Sequence, residues 1–370
     1  MIEQPSIFFI LAAFVAVLGP LVFFHELGHY GVARLFGVKC DAFSIGFGKE
    51  IFGWTDKRGM RWKVAMLPVG GYVKFAGDAD AASRPGESNG DPDHFQNKPV
   101  WQRFLIVLAG PMANFLLAIV IFAAFFMAIG TAQSTSQINS VEPDSAAAAA
   151  GLVPGDEIVS IAGRDIASFD DIMRTVVIRP GEEVDIRYER DGEVRSTRTQ
   201  LAAHVATDRY GQEFTVGRLG VEGSVERAAV GPIAAVGKGV TETWRLLTWI
   251  VDGLGRILFG NLSVKEIGGP IKMAQITGQQ AQLGWEAAVG FAALLSINLG
   301  FINLLPVPML DGGHLLFYAI EGIRRRPVSP HVQEWAFRGG LALLLALILF
   351  TTFNDLSSIG VADRIERLIG

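Results

Sequence analysis

The feature of the sequence that most constrains the fold is an uncharged apolar run followed directly by three ionisable side chains. Residues 7–24 read IFFILAAFVAVLGPLVFF, and His25, Glu26 and His29 come directly afterwards. A helix crosses the hydrocarbon core of a bilayer in roughly 20 residues, so this run is long enough to enter it. A charged side chain at that depth costs roughly 2.5 kcal/mol or more. We therefore expect these three groups to serve a function.

Three further segments are long and apolar enough to cross a membrane. With the first they predict four spans, at about 6–26, 104–129, 287–310 and 335–353. The composition agrees, because 50% of the residues are hydrophobic and only 19% are charged. No lysine or arginine precedes the first run and no small-residue cleavage site follows it, so a cleaved signal peptide is not expected. A net charge of −5 gives no basic field for nucleic acid.

The distribution of lysine and arginine predicts the orientation of these spans. Basic residues are frequent between the first and second spans, and Arg324, Arg325 and Arg326 lie between the third and fourth, whereas none precedes the first. Short basic loops stay in the cytoplasm. The N-terminus and the long segment 130–285 are therefore expected on the outer side.

The long outer segment contains a globular module. Residues 138–201 predict short strands, a PGD turn at 154–156, a helix near 168–177 and a hairpin that turns at the RDG of 190–192. This order, with the phrase AGLVPGDEIVSI, resembles a PDZ domain, a module that binds extended peptide by strand addition. A small β-rich spacer without a ligand is the alternative.

Three other segments have recognisable patterns. Residues 241–260 are apolar but carry four charged side chains and two tryptophans, which favours a helix in the membrane interface over a fifth span. Residues 43–77 alternate like a β-hairpin pair, and 78–100 have the composition of a flexible cytoplasmic loop.

The sequence HELGH at 25–29 is a metal-binding pattern. On a helix, His25 and His29 share one face about a turn apart, so both imidazoles can ligate one Zn²⁺ ion. Glu26 is then placed to act as the general base of a metalloprotease. The alternative is a pair of histidines that are hydrogen-bonded between helices.

Asp311 is the candidate for a third ligand. The first and third spans both run from outside to inside, and His25 and Asp311 follow about 18 and about 24 apolar residues, so both are expected near the cytoplasmic boundary of the core. His314 is a rival ligand, and a helix-end cap is the alternative role for Asp311. Pro306 and Pro308 should break the helix just before Asp311.

These residues, taken together, resemble the site-2 protease family of intramembrane zinc metalloproteases, and within it the bacterial regulators of sigma-E protease, here with one PDZ domain rather than two. The resemblance covers almost the whole chain: HELGH, FSIGFG (43–48), PVGGYVKF (68–75), AGPMANF (109–115) and NLLPVPMLDGG (303–313). It implies that His25, His29 and Asp311 bind zinc and that Glu26 is catalytic. It also implies that Asn303 handles substrate, and that Gly110, Pro111 and Asn114 form a structural motif. An interhelical role for Asn303 and for Asn298 is the alternative.

The expected protein is therefore a polytopic α-helical membrane protein with four transmembrane helices, a membrane-associated β-hairpin region and one inserted PDZ-like domain. Its predicted parts are 1–130 (first membrane part), 131–228 (periplasmic PDZ-like domain), 229–285 (interfacial segment) and 286–370 (second membrane part). The resemblance implies a bacterial inner-membrane protease that acts near the cytoplasmic side in a stress response. Its substrates would be a membrane-bound anti-sigma factor and remnant signal peptides, with a peptide ligand at the PDZ domain. A non-catalytic PDZ scaffold and a metal transporter are the rival functions.

Overall fold

The computed structural model describes residues 5–78, 90–207, 213–258 and 268–358. Its helices are α1 (Ile7–Leu35), α2 (Val100–Ile129), α3 (Ala146–Ala149), α4 (Phe169–Val177), α5 (Pro232–Leu258), α6 (Pro270–Gln282), α7 (Trp285–Leu304), α8 (Asp311–Arg324) and α9 (Pro330–Ser358). Its strands are β1 (Cys40–Thr55), β2 (Arg61–Phe75), β3 (Thr131–Val141), β4 (Glu157–Ile161), β5 (Arg164–Asp165), β6 (Glu183–Arg190), β7 (Glu193–Gln200), β8 (Ala202–Thr207), β9 (Glu213–Arg218) and β10 (Val221–Ala228). The chain divides into two units, one of Met1–Ala124 with Pro232–Gly370 and one of Phe125–Gly231.

Four of the described helices are candidate membrane spans. Within the described ranges, α1, α2, α7 and α9 are the helices long and apolar enough to cross a bilayer, which confirms the four predicted spans. Helix α5 is not among them. Helix α1 continues to Leu35, so HELGH lies in the interior of a helix rather than at the end of a span.

The third span differs from its prediction at the C-terminal end. The predicted span reaches residue 310, whereas α7 ends at Leu304, and Asp311 is the first residue of the separate helix α8. Leu305 has φ −61° and ψ 139°, the extended conformation imposed on a residue before proline. The predicted break at Pro306 and Pro308 is confirmed, and it separates Asp311 from the span.

The predicted β-hairpin region is a long curled hairpin of β1 and β2. Residues 42–45 pair with 71–74 on one side and with 61–64 on the other, so the hairpin folds back into a small sheet. Its aromatic side chains form part of the core of this unit, because Phe43 is 1% exposed and stacks on Trp62 with ring centroids 4.6 Å apart.

Part of the segment predicted as a flexible loop is packed. Residues 79–89 lie outside the described residues, but Phe95 is fully buried and stacks on Phe75 with ring centroids 4.8 Å apart. The prediction of a flexible loop is wrong for this end of the segment, because burial of one aromatic ring outweighs the polar composition around it.

The second unit has the predicted order of elements. Its sheet runs β10-β3-β4-β6-β7, with β5 beside β4, and β8 and β9 form a separate hairpin. Isoleucines form the centre of its core and are at most 1% exposed: Ile138, Ile158, Ile161, Ile172 and Ile186. Between β6 and β7, Asp191 and Gly192 both have positive φ, as a two-residue type I′ turn requires. The predicted helix near 168–177 and the predicted RDG hairpin are confirmed.

A buried ion pair ties the PGD turn to this hairpin. The Asp156 carboxylate accepts hydrogen bonds from Arg190 Nε and Nη2, at 2.6 and 2.7 Å, and from the Val153 N–H at 2.9 Å. Burial alone would raise the pKa of Asp156, but the Arg190 guanidinium and the Val153 N–H hold it below its ordinary value.

Candidate metal centre

The first two side chains of the site lie on one face of α1. His25 and His29 are four residues apart, and their Nε2 atoms approach to 3.3 Å. Each residue is only 7% exposed. The two imidazoles therefore present nitrogen atoms to the same small volume.

Asp311 supplies an oxygen atom from a different part of the chain. Its Oδ2 lies 3.2 Å from Nε2 of His25 and 3.4 Å from Nε2 of His29. One ligand atom from each of the three residues lies within 4.8 Å of the other two. The first turn of α8 thus brings a carboxylate to the histidine pair of α1.

The donor atoms of this cluster fit a metal ion better than they fit one another. Within the described part of the chain, Oδ2 of Asp311 is buried and has no hydrogen-bond partner despite its short distances to the two nitrogens. A buried carboxylate oxygen without a partner is costly. Two imidazole nitrogens and one carboxylate oxygen are a ligand set of catalytic zinc sites, which keep a fourth position open.

Helix α2 contacts the outer side of both imidazoles. The His29 Nδ1–H donates to the Ile106 carbonyl oxygen at 2.9 Å, and His25 Nδ1 lies 3.1 Å from the side-chain amide of Asn114. Gly110 faces the His29 ring so closely that a methyl group there would lie 2.2 Å from Nε2. A segment that the sequence marked only as structural therefore borders the site directly.

Glu26 is buried beside this cluster. It is 7% exposed, and its carboxyl group is within hydrogen-bonding reach of the Val73 backbone on β2. The ionisable groups that interact electrostatically with its carboxyl group are those of His25, His29 and Asp311. Glu26 therefore lies between the histidine pair of α1 and the curled hairpin.

Of the other residues that the sequence singled out, His314 is not among the three clustered donors. The His314 ring packs on Phe337, with centroids 5.1 Å apart, and is not in the cluster of donors. Asn303 lies in the last turn of α7 and Asn298 one turn and a half earlier, both partly buried. Neither amide makes a side-chain hydrogen bond within the described ranges.

The second unit contains a cavity of its own. It has a volume of about 530 Å³ and lies between α4 and the residues that join β9 to β10. Its apolar lining comes from both sides and includes Ile172, Met173, Val176, Leu219 and Val221. A groove of this size and lining can hold a short apolar peptide segment.

Two solved PDZ domains are similar to about a quarter of this chain. The PDZ domain of the SdrC-like protein of Listeria monocytogenes matches with 22% identity over 26% of this chain and 93% of that chain, at a TM-score of 0.20. The corresponding domain of Listeria innocua matches with 21% identity over 26% of this chain and 100% of that chain, also at a TM-score of 0.20.

Relatives of known sequence match almost the whole chain. A protein of Rhizobium meliloti with the name "putative zinc metalloprotease" is 44% identical over 361 residues, 94% of this chain and 96% of its own. Metalloprotease MmpA of Caulobacter vibrioides is 39% identical over 97% of this chain and 98% of its own. The model of Peptidase family M50 matches residues 13–347. The chain is therefore a member of peptidase family M50.

Proposed function

We propose that the protein is a zinc metalloprotease that hydrolyses transmembrane segments of single-pass membrane proteins. The observation that carries this proposal is the meeting of His25, His29 and Asp311, whose donor atoms lie within 4.8 Å of one another. Membership of a peptidase family and relatives named zinc metalloproteases support the same reading.

The charges at the site favour a divalent cation. With both imidazoles neutral and both carboxyl groups ionised, Glu26 and Asp311 bring two negative charges into a place with little access to water. Uncompensated buried charges are strongly unfavourable, and a dication offsets both. His25, His29 and Asp311 would hold the zinc ion, which when bound acts as a Lewis acid toward the scissile carbonyl and the attacking water.

Glu26 is the proposed general base and acid. Its carboxylate takes a proton from the attacking water and delivers it to the amine that leaves when the peptide bond breaks. The Val73 backbone on β2 lies within hydrogen-bonding reach of this carboxylate. Among the described residues, Asp311 supplies the one carboxylate in the cluster of metal donors. Glu26 is a second carboxyl group beside that cluster and is therefore the one assigned to proton transfer.

The substrate is proposed to be an extended segment that adds a strand to the 43–77 hairpin region. In the described ranges, residues 71–75 pair with β1 on one side and with no strand on the other, and β2 packs against α1. Asn303 is a proposed contact to the substrate backbone. An anti-sigma factor and remnant signal peptides are the substrate classes that the family resemblance suggests.

Location and a second ligand complete the proposal. The placement of lysine and arginine supports an inner-membrane protein whose N-terminus and second unit face the periplasm. The cavity beside α4 supports a peptide ligand there. A membrane PDZ scaffold without catalysis would use that cavity alone and would need none of the buried site on α1.

The substitution Glu26→Gln tests the catalytic role. The purified variant should bind as much zinc as the wild type but should not cleave a tethered single-pass substrate in detergent or vesicles. Glu242→Gln, on α5, is the matched control and should leave cleavage unchanged. Wild-type cleavage by the Glu26→Gln protein would refute the assignment.

The third ligand is tested separately by metal content. Asp311→Ala should lower bound zinc well below one ion per chain, whereas His314→Ala should retain it, because the His314 ring packs on Phe337 and is not one of the clustered donors. The reverse result would make His314 the ligand. Metal flux into proteoliposomes without substrate cleavage would favour a transporter.

A further inference from the structure

The Nδ1 atoms of the two histidines contact different kinds of group on the same helix, α2. His29 donates from Nδ1 to a backbone carbonyl, that of Ile106, at 2.9 Å. His25 has a side chain in the equivalent place, because its Nδ1 lies 3.1 Å from Nδ2 of the Asn114 amide. Both contacts come from α2, two turns apart.

A metal-ligating imidazole needs an acceptor at its second nitrogen. Nε2 of His25 points at the other donors, so its lone pair must be free and the ring proton must sit on Nδ1. The Asn114 Oδ1 can accept a hydrogen bond from that Nδ1–H. This oxygen is buried and has no hydrogen-bond partner within the described part of the chain. A half-turn of the amide about χ2 exchanges its nitrogen and oxygen and brings Oδ1 to Nδ1.

Asn114 is itself held in place. The residue is fully buried, and its backbone oxygen accepts a hydrogen bond from Ser296 Oγ on α7 at 2.8 Å. An asparagine buried in an apolar span is costly unless its amide is used. The amide has one polar neighbour in the described ranges, and that neighbour is a proposed metal ligand.

We propose that Asn114 is a positioning residue that sets the ring orientation and the tautomer of His25 and so strengthens zinc binding. The inference rests on the proposed zinc site and goes beyond it, because Asn114 touches neither the metal nor the substrate. Ile106 does the same for His29 through its backbone, which no side-chain substitution removes. Of the two hydrogen-bond acceptors on α2, the Asn114 side chain is the one that a substitution can remove.

The test measures zinc affinity of the purified full-length protein by competition with a chelator. Asn114→Leu and Asn114→Ala both remove the acceptor, and each should lower the affinity by roughly 10-fold to 100-fold. Asn114→Asp keeps an acceptor oxygen and should retain wild-type affinity. Cobalt-loaded protein gives a second readout, since its visible spectrum should change in the Leu and Ala variants and not in the Asp variant.

Ser296→Ala is the matched control. It removes a buried hydrogen bond to the same residue without touching His25, so it should lower the melting temperature but not the zinc affinity. Wild-type affinity in Asn114→Leu or Asn114→Ala, or an equal loss of affinity in Ser296→Ala, would overturn the inference alone. A wild-type protein without tight zinc binding would overturn both it and the proposed function.

Discussion

Gly110 is the position at which a single methyl group should disable the site. In Gly110→Ala the new Cβ would lie 2.2 Å from His29 Nε2 and 2.4 Å from its Cε1, whereas ordinary contacts of a Cβ begin at 3.4 Å. The imidazole must therefore retreat by about 1.2 Å. Its Nδ1–H is bound to the Ile106 carbonyl on the same helix, so the ring cannot retreat without breaking that hydrogen bond.

The size of the effect follows from this displacement. Metal–ligand distances tolerate changes of about 0.2 Å, so a shift of about 1.2 Å would remove His29 from the proposed coordination sphere. Misplacement of a reacting group by about 1 Å costs roughly 100-fold in rate. We expect zinc affinity and cleavage to fall by at least about 100-fold.

The assay compares Gly110→Ala with Gly290→Ala. Gly290 lies in the span α7 and has nothing within 4 Å of a built Cβ, so its substitution should be neutral or slightly stabilising, by up to about 1 kcal/mol. Bound zinc and substrate cleavage are measured on both purified proteins. Wild-type zinc content and turnover in Gly110→Ala would show that the ring can move aside without cost, and would refute the reasoning.

Two further predictions concern stability. Because the pKa of Asp156 is held below its ordinary value, its ion pair with Arg190 is complete above about pH 4 and is lost as the pH falls through the lowered pKa. Acidification should therefore increase proteolysis of the second unit in the wild type, and Asp156→Asn should reduce this dependence on pH. An acid profile that is the same in both proteins would contradict this. Phe95→Ala removes a fully buried ring and should lower the free energy of unfolding by roughly 3 to 5 kcal/mol, measured by denaturation of the full chain. A loss below about 1 kcal/mol would show that the ring is not packed and that this end of the segment is a flexible loop after all.

Local patterns were sufficient to predict several elements of this fold. The four spans follow from apolar length, and the hairpin at 190–192 follows from an Asp-Gly turn between alternating strands. HELGH places two imidazoles on one helix face whatever surrounds it. The third span was predicted too long because its residues 305–310 are apolar, and only the effect of Pro306 on Leu305 ends the helix earlier.

The support from α2 could not be predicted in the same way. Which face of α2 meets α1 depends on packing between helices about 80 residues apart in sequence, and no local pattern specifies it. One signal was present, since Gly110 and Asn114 are four residues apart and so share a helix face. A polar asparagine side chain inside an apolar span also predicts a hydrogen-bond partner for its amide.

The division of the candidate site between α1 and α8 has a consequence for synthesis of the protein. About 280 residues separate His29 from Asp311, so at ribosomal rates of about 5 to 20 residues per second the histidines precede the aspartate by roughly 15 to 60 s. During that interval the nascent chain holds two of the three proposed ligands and no complete candidate site. If these assignments hold, a ribosome that stops before Asp311 leaves a fragment without the proposed hydrolytic centre, and proteolysis begins only after α8 has been made.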